Sequence, residues 1–162
     1  MSNNYAGKFV SAETAVKAVQ PGDWVDYGFG AGFPELLDRA LAARRDELTD
    51  VKIRGGLVIR PRIEVVESDP VQKAFSYYSW HIGDYERKLQ TRGLCKFMPM
   101  MLRSLTEMYR HHIRVDVAFV PVSRPDADGC CGLGISNYAW RTIFENARTV
   151  IFEINERLPR LQ

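Results

Sequence analysis

Trp24-Val25-Asp26-Tyr27-Gly28-Phe29-Gly30-Ala31-Gly32-Phe33-Pro34 is the stretch on which the fold turns. Residues 24–27 read as a strand and run into a turn with glycine at every second position. Pro34 then suits the first position of a helix, and Leu37, Ala40, Leu41 and Leu48 continue an apolar stripe. Strand, glycine turn and helix in that order make the opening of a βα unit.

Working outward, the alternation repeats. Upstream, residues 11–19 read as a helix capped by Ser11, with Ala12, Ala15, Val16 and Val19 on one face, before a turn at Pro21-Gly22-Asp23. Downstream, strands are expected at residues 51–59 (Gly55-Gly56 marking the end), 74–80 and 94–98. Met101, Leu105, Met108 and His112 share a helical face after Pro99. Residues 115–122 are the clearest buried strand, followed by turn chemistry at residues 123–129. A helix over residues 138–147 and a strand over 149–154 close the pattern. Strands alternating with helices predict an α/β fold, an open and mostly parallel sheet with helices on both faces.

The chain has 162 residues, 46% of them hydrophobic and 26% charged, which fits one globular domain and excludes intrinsic disorder. At this size roughly 68–70% of the extended surface is buried on folding, enough for a core without staples. A net charge of +2 with no block of like charge points away from nucleic acid and membrane surfaces. Three cysteines, two of them adjacent at 130 and 131, make no paired framework and suit a reducing cytoplasmic compartment. Met1-Ser2-Asn3-Asn4-Tyr5 carries no apolar signal core, and no apolar run approaches the ~18 residues of a membrane span. After the last strand, residues 157–162 bring no helix, as expected of a piece of something longer.

In an open parallel sheet ligands bind at the carboxyl ends of strands, and two glycine turns fall there. In Gly28-x-Gly30-x-Gly32 the third glycine comes one residue too early for the dinucleotide fingerprint. A phosphate cradle wants free N–H groups and no acids, yet Pro34 removes a donor and Glu35 and Asp38 add negative charge. This loop suits an uncharged acyl group or thioester oxygen, or it is a tight turn needing glycine only for backbone freedom. The second turn, residues 129–136, ends on Gly132, Gly134 and Ser136. Ser136 either donates to a ligand or caps the next helix.

Other candidates are weaker. Asp126-x-Asp128-Gly129 opens like a calcium loop but lacks its later acidic ligands. His111 and His112 diverge on a helix and cannot share a metal, and the cysteines lack metal spacing, so no metal is expected. His81 ends a strand, where it reaches a pocket or is satisfied within the fold. Glu153 lies in an apolar strand, where it meets an arginine, escapes to water, supports a site or acts as a nucleophile.

Val115-Asp116-Val117-Ala118-Phe119-Val120-Pro121-Val122-Ser123-Arg124-Pro125-Asp126-Ala127-Asp128-Gly129 resembles the amino-terminal domain of the acetyl-CoA hydrolase/transferase family, class I CoA-transferases. The resemblance continues through Gly132-x-Gly134-x-Ser136 and residues 147–155 to Pro159, and upstream through Ser11 to Lys17. Gly22 to Gly28, Ser79-Trp80-His81 and Glu86-Arg87-Lys88 look particularly like the butyryl-CoA:acetate CoA-transferase branch. Phe29 stands where the 4-hydroxybutyrate branch carries histidine, and Arg124 replaces the family's usual second proline.

The resemblance implies that residues 1–162 are an amino-terminal domain and that the catalytic glutamate and main CoA-binding loop lie in a carboxyl-terminal domain outside this chain. No glutamate here inherits the nucleophile's place. The implied activity is transfer of coenzyme A from a short-chain acyl-CoA to a carboxylate, with the thioester as substrate, no separate cofactor, and the complete enzyme a homo-oligomer. Gly28, Phe29, Gly30, Gly32 and Ser136 are the expected substrate-binding residues. The alternatives are an acyl-CoA hydrolase of the same family and a non-catalytic binding or assembly domain.

Overall fold

A computed structural model describes residues 6–159. The amino-terminal signal question and the last three residues lie outside them. Six parallel strands form one open sheet: β1 (Trp24–Phe29), β2 (Val51–Gly56), β3 (Phe75–Ser79), β4 (Cys95–Phe97), β5 (Val117–Val122) and β6 (Thr149–Ile154), in the order β4-β3-β2-β1-β5-β6. The helices are α1 (Ala12–Ala15), α2 (Glu35–Ala42), α3 (Glu64–Ser68), α4 (Asp84–Thr91), α5 (Leu105–His111) and α6 (Trp140–Asn146).

The order explains the layering. From β1 to β4 the chain steps outward one way, then returns past β1 to lay down β5 and β6 on the other side. Parallel crossovers keep one hand, so reversing direction moves the helices to the opposite face. Leu37 and Leu41 of α2, Val65 of α3 and Leu89 of α4 accordingly share one core with Val25, Ile53, Tyr77 and Phe119. Leu105 and Tyr109 of α5 and Trp140 and Ile143 of α6 share the other with Ala118, Val120 and Val122. β5 is buried at all six positions, as its apolar run predicts.

Two local readings change, and two helices are new. The helix at residues 11–19 keeps its Ser11 cap, which accepts from the Thr14 N–H, but tightens into a 3-10 turn from Val16 to Ala18. Met101 and His112 are exposed, while α5 buries Leu105 as expected and Tyr109 in addition. The short helices α3 and α4 carry too few apolar residues for a stripe. α4 is set by Glu86, which is buried and accepts from the N–H groups of Gly83 and Val58 and the hydroxyls of Tyr77 and Ser79.

Candidate functional site

The sheet reverses between β1 and β5, and there the two strands part. Their pairing covers only Val25↔Val117 and Asp26↔Ala118, whereas β5 and β6 stay in register to Val122↔Ile154. The Val122 carbonyl accepts from Asn155 on the β6 side, so by alternation the nitrogen of Pro121 faces β1. Proline has no N–H to offer, and the ladder asks for none beyond the split. β1 is also irregular after Asp26, where Gly28 takes φ +78°. The opening therefore lies at a switch point on the carboxyl side of the sheet, the place where open α/β sheets bind ligands.

Both glycine turns converge on it. Gly30 adopts φ +61°, and a Cβ there would lie 3.8 Å from Ser136 Oγ. Gly32 needs no left-handed backbone. Its hydrogen gives room for a close approach, since a Cβ would come within 3.1 Å of Ser136 Cβ and 3.3 Å of the Phe29 carbonyl. The turn thus uses glycine for close approach of its neighbour as well as for backbone freedom. Ser136 does not cap α6, whose N-cap position is Ala139 and carries no side-chain hydrogen bond. Its carbonyl instead accepts from Trp140 Nε1 at 3.0 Å.

Phe29 is the apolar surface of this region. Its ring stacks on Trp80 at 4.7 Å, meets His81 edge-on at 5.7 Å and tilts against Tyr138 at 6.2 Å. Trp80 is buried with an unpartnered Nε1, and His81 is exposed at the rim. His81 is held by its backbone, its carbonyl accepting from the Leu57 N–H.

Beneath the ring lies a polar hub that the sequence reading missed. Asp26, 0% exposed, accepts from Arg54 Nε at 3.0 Å, the hydroxyls of Tyr109 at 2.5 Å and Tyr138 at 2.9 Å, and the Gly28 N–H at 3.1 Å. Arg54 also donates to the Arg114 carbonyl and lies over the rings of Tyr109 and Trp24. Burial works against the Arg54 charge, but Tyr109 and Asp26 outweigh it and raise its pKa. Burial and Asp26 push the Tyr138 hydroxyl well up, so it stays a proton donor. One carboxylate therefore joins β1, β2, α5 and the loop before α6. The available signal was an aspartate inside the apolar run of β1 and an arginine next to the glycine pair that ends β2.

Glu153 is held by backbone N–H groups rather than by an arginine. Its Oε2 accepts from the N–H groups of Leu36 at 3.0 Å and Leu37 at 2.9 Å, capping α2, whose Pro34 offers no side-chain cap. Burial raises its pKa against those hydrogen bonds. A carboxylate already at this helix start disfavours a phosphate there. Asp38 similarly accepts from the N–H groups of Glu64 and Val65 at the start of α3, and burial pushes it up to about 7.

The remaining candidates fall outside the switch point. Asp126 Oδ1 accepts from the N–H groups of Asp128 and Cys130, closing a turn. Arg124 pairs with Glu156. Cys95 is buried, its thiol pushed up to about 12 by burial, and Cys130 is exposed. The His111 and His112 rings lie 6.2 Å apart. Among the described residues no cluster of three or more His, Cys, Asp or Glu gathers, and no helix is long and apolar enough to cross a membrane.

The chain is a doubly wound parallel α/β domain, with glycine turns and an aromatic surface converging at its switch point. More particularly, the chain belongs to the acetyl-CoA hydrolase/transferase family, whose amino-terminal-domain model matches residues 1–162. It is 39% identical over 157 residues to the butyryl-CoA:acetate CoA-transferase of Anaerostipes caccae, covering 96% of this chain and 35% of that protein. A probable butyrate:acetyl-CoA coenzyme A-transferase of Syntrophomonas wolfei is 37% identical over the same shares. The chain thus spans about a third of the length of these curated relatives. The fold matches RipA from Yersinia pestis with a TM-score of 0.82 at 24% identity, over 94% of this chain and 38% of that one.

Proposed function

We propose that this domain forms one wall of the acyl site of a short-chain acyl-CoA:carboxylate CoA-transferase of the butyryl-CoA:acetate kind. The meeting of the Gly28–Gly32 turn with Ser136 beside the Phe29 ring carries this reading. The wall is uncharged and glycine-lined, and it suits an alkyl thioester better than a phosphate. Gly28, Phe29, Gly30, Gly32 and Ser136 are its substrate-binding residues. Phe29 bounds the alkyl chain, and the hub under it holds the ring's neighbour Tyr138 and the Gly28 turn in place.

The reacting glutamate belongs to a carboxyl-terminal domain outside this chain. It attacks the acyl thioester, releasing CoA thiolate and forming an acyl-glutamyl anhydride. The thiolate then displaces the carboxylate to give a glutamyl-CoA thioester, and the acceptor carboxylate completes the exchange in ping-pong order. Coenzyme A enters as a substrate, the complete enzyme is an oligomer of identical chains, and its place is the cytoplasm. The relatives named as transferases favour transfer over hydrolysis.

The test is Phe29→Ala in the complete enzyme, with acetyl-, butyryl- and hexanoyl-CoA as donors and acetate as acceptor. One methylene discriminates by roughly 10–200-fold in such sites, so the hexanoyl-to-butyryl ratio of kcat/KM should rise by about tenfold. An unchanged ratio removes Phe29 from the wall.

A further inference from the structure

The two edges of the sheet are built differently. β4 is three residues long and presents Lys96, the usual way of blunting an edge. β6 is six residues long, regular, and reads Thr149-Val150-Ile151-Phe152-Glu153-Ile154. It is paired on one side only among the described residues, and none of its six positions is fully buried. Thr149 and Asn155 donate their N–H groups to the carbonyls of Asp116 and Val122 on β5. By the two-residue period, the N–H and C=O groups of Val150, Phe152 and Ile154 point away from the sheet.

The flank of this edge is apolar too. Phe152 is 50% exposed and meets Phe144 edge-on at 5.9 Å. Phe144 lines a shallow depression of about 460 Å³ with Leu133 and Trp140, rimmed by Asn137, Arg141 and Glu145, and Ile135 is 73% exposed. A long, flat, apolar strand with open backbone groups is a template for another strand.

We propose that the free edge of β6 is a docking surface for a β-strand from the carboxyl-terminal portion of the family polypeptide, with an apolar side chain of that portion seated against Phe152 and Phe144. The occupant is argued from length and chemistry. The family model that matches here is an amino-terminal domain, and about two-thirds of each curated relative lies beyond the matched part. Six residues, of which Val150, Phe152 and Ile154 make one face wholly apolar and Ile151 adds an apolar side chain to the other, fit the interior of a sheet rather than its border. The inference rests on the two-domain reading above and adds where the second part attaches.

Residue-resolved hydrogen exchange tests it, on the 162-residue chain and on the full-length family protein that carries this chain as its amino-terminal domain. The N–H groups of Val150, Phe152 and Ile154 should exchange at least about 100-fold more slowly in the full-length protein, while those of Ile151 and Glu153, already turned to β5, change much less. Equal exchange of the three in both proteins overturns the proposal. Phe152→Pro gives a second readout, since its N–H serves no bond to β5 and an edge strand tolerates proline. It should lower the melting midpoint of the short chain by under about 4 °C and that of the full-length protein by roughly 5 °C more. Equal shifts overturn the proposal. Transfer of CoA from butyryl-CoA to acetate by the full-length protein, assayed alongside, separates the two ideas. Activity with freely exchanging β6 amides sinks the docking surface alone, and protected amides without activity sink the functional reading alone.

Discussion

Asp26→Ala should be the most damaging truncation in the second core. It withdraws the acceptor from Arg54, from the hydroxyls of Tyr109 and Tyr138 and from the Gly28 N–H at once, and it leaves a guanidinium 1% exposed without its counter-charge. Breaking one side of a buried pair costs about 3–5 kcal/mol, a large part of the ~5–15 kcal/mol that holds a domain together. For a chain of 162 residues this lowers the melting midpoint by roughly 6–20 °C. Arg54→Met should cost less, about 1–3 kcal/mol, because Asp26 keeps three neutral donors. In Asp26→Ala/Arg54→Met neither charge is stranded, so the loss should fall short of the sum by about 2–3 kcal/mol. Urea unfolding of the four proteins, followed by far-UV and near-UV circular dichroism, closes the cycle. A cost under about 1 kcal/mol for Asp26→Ala, the level of an ordinary surface change, or strictly additive losses, would refute the hub as described.

Asp38, pushed up to about 7 from 3.8, binds a proton in the folded state that the unfolded chain releases. Its contribution to stability is therefore greatest below about pH 4 and falls as pH rises to about 7. Urea midpoints should drop from pH 5 to pH 8, and Asp38→Asn should flatten that slope. Glu153→Ala should cost about 0.5–2 kcal/mol through the lost cap on α2, with Glu153→Gln milder. If the proposed function holds, Glu153→Gln in a full-length protein should keep CoA transfer, and loss of transfer in a folded protein would make Glu153 a reacting group. Gly28→Ala should destabilise by more than the ~1–2 kcal/mol of a left-handed residue, because its Cβ would lie 2.9 Å from Trp140 Cζ2 at φ +78°. A thermal melt within error of the parent would contradict that packing.

The sheet and its direction were legible because they follow from patterns along the chain. Continuous apolar runs such as residues 117–122 mark strands buried on both faces, and intervening helices force those strands to lie parallel. The two glycine turns were legible for the same reason, since their composition marks strand ends. The short helices were not, because α3 and α4 are fixed by carboxylates reaching from Asp38 and from Glu86 rather than by an apolar stripe.

What the sequence alone determined is the α/β alternation, the family pattern and the two turns with their glycines. Who meets whom was settled by packing in three dimensions. Asp26 and Tyr138 are bonded across 112 positions of chain, and Glu153 caps a helix 116 or more positions away. No local periodicity encodes such pairs, because they depend on a switch point that appears only when β5 is laid beside β1. There, burial makes each unpartnered charge costly, and the fold resolves the cost through contacts the linear order keeps far apart.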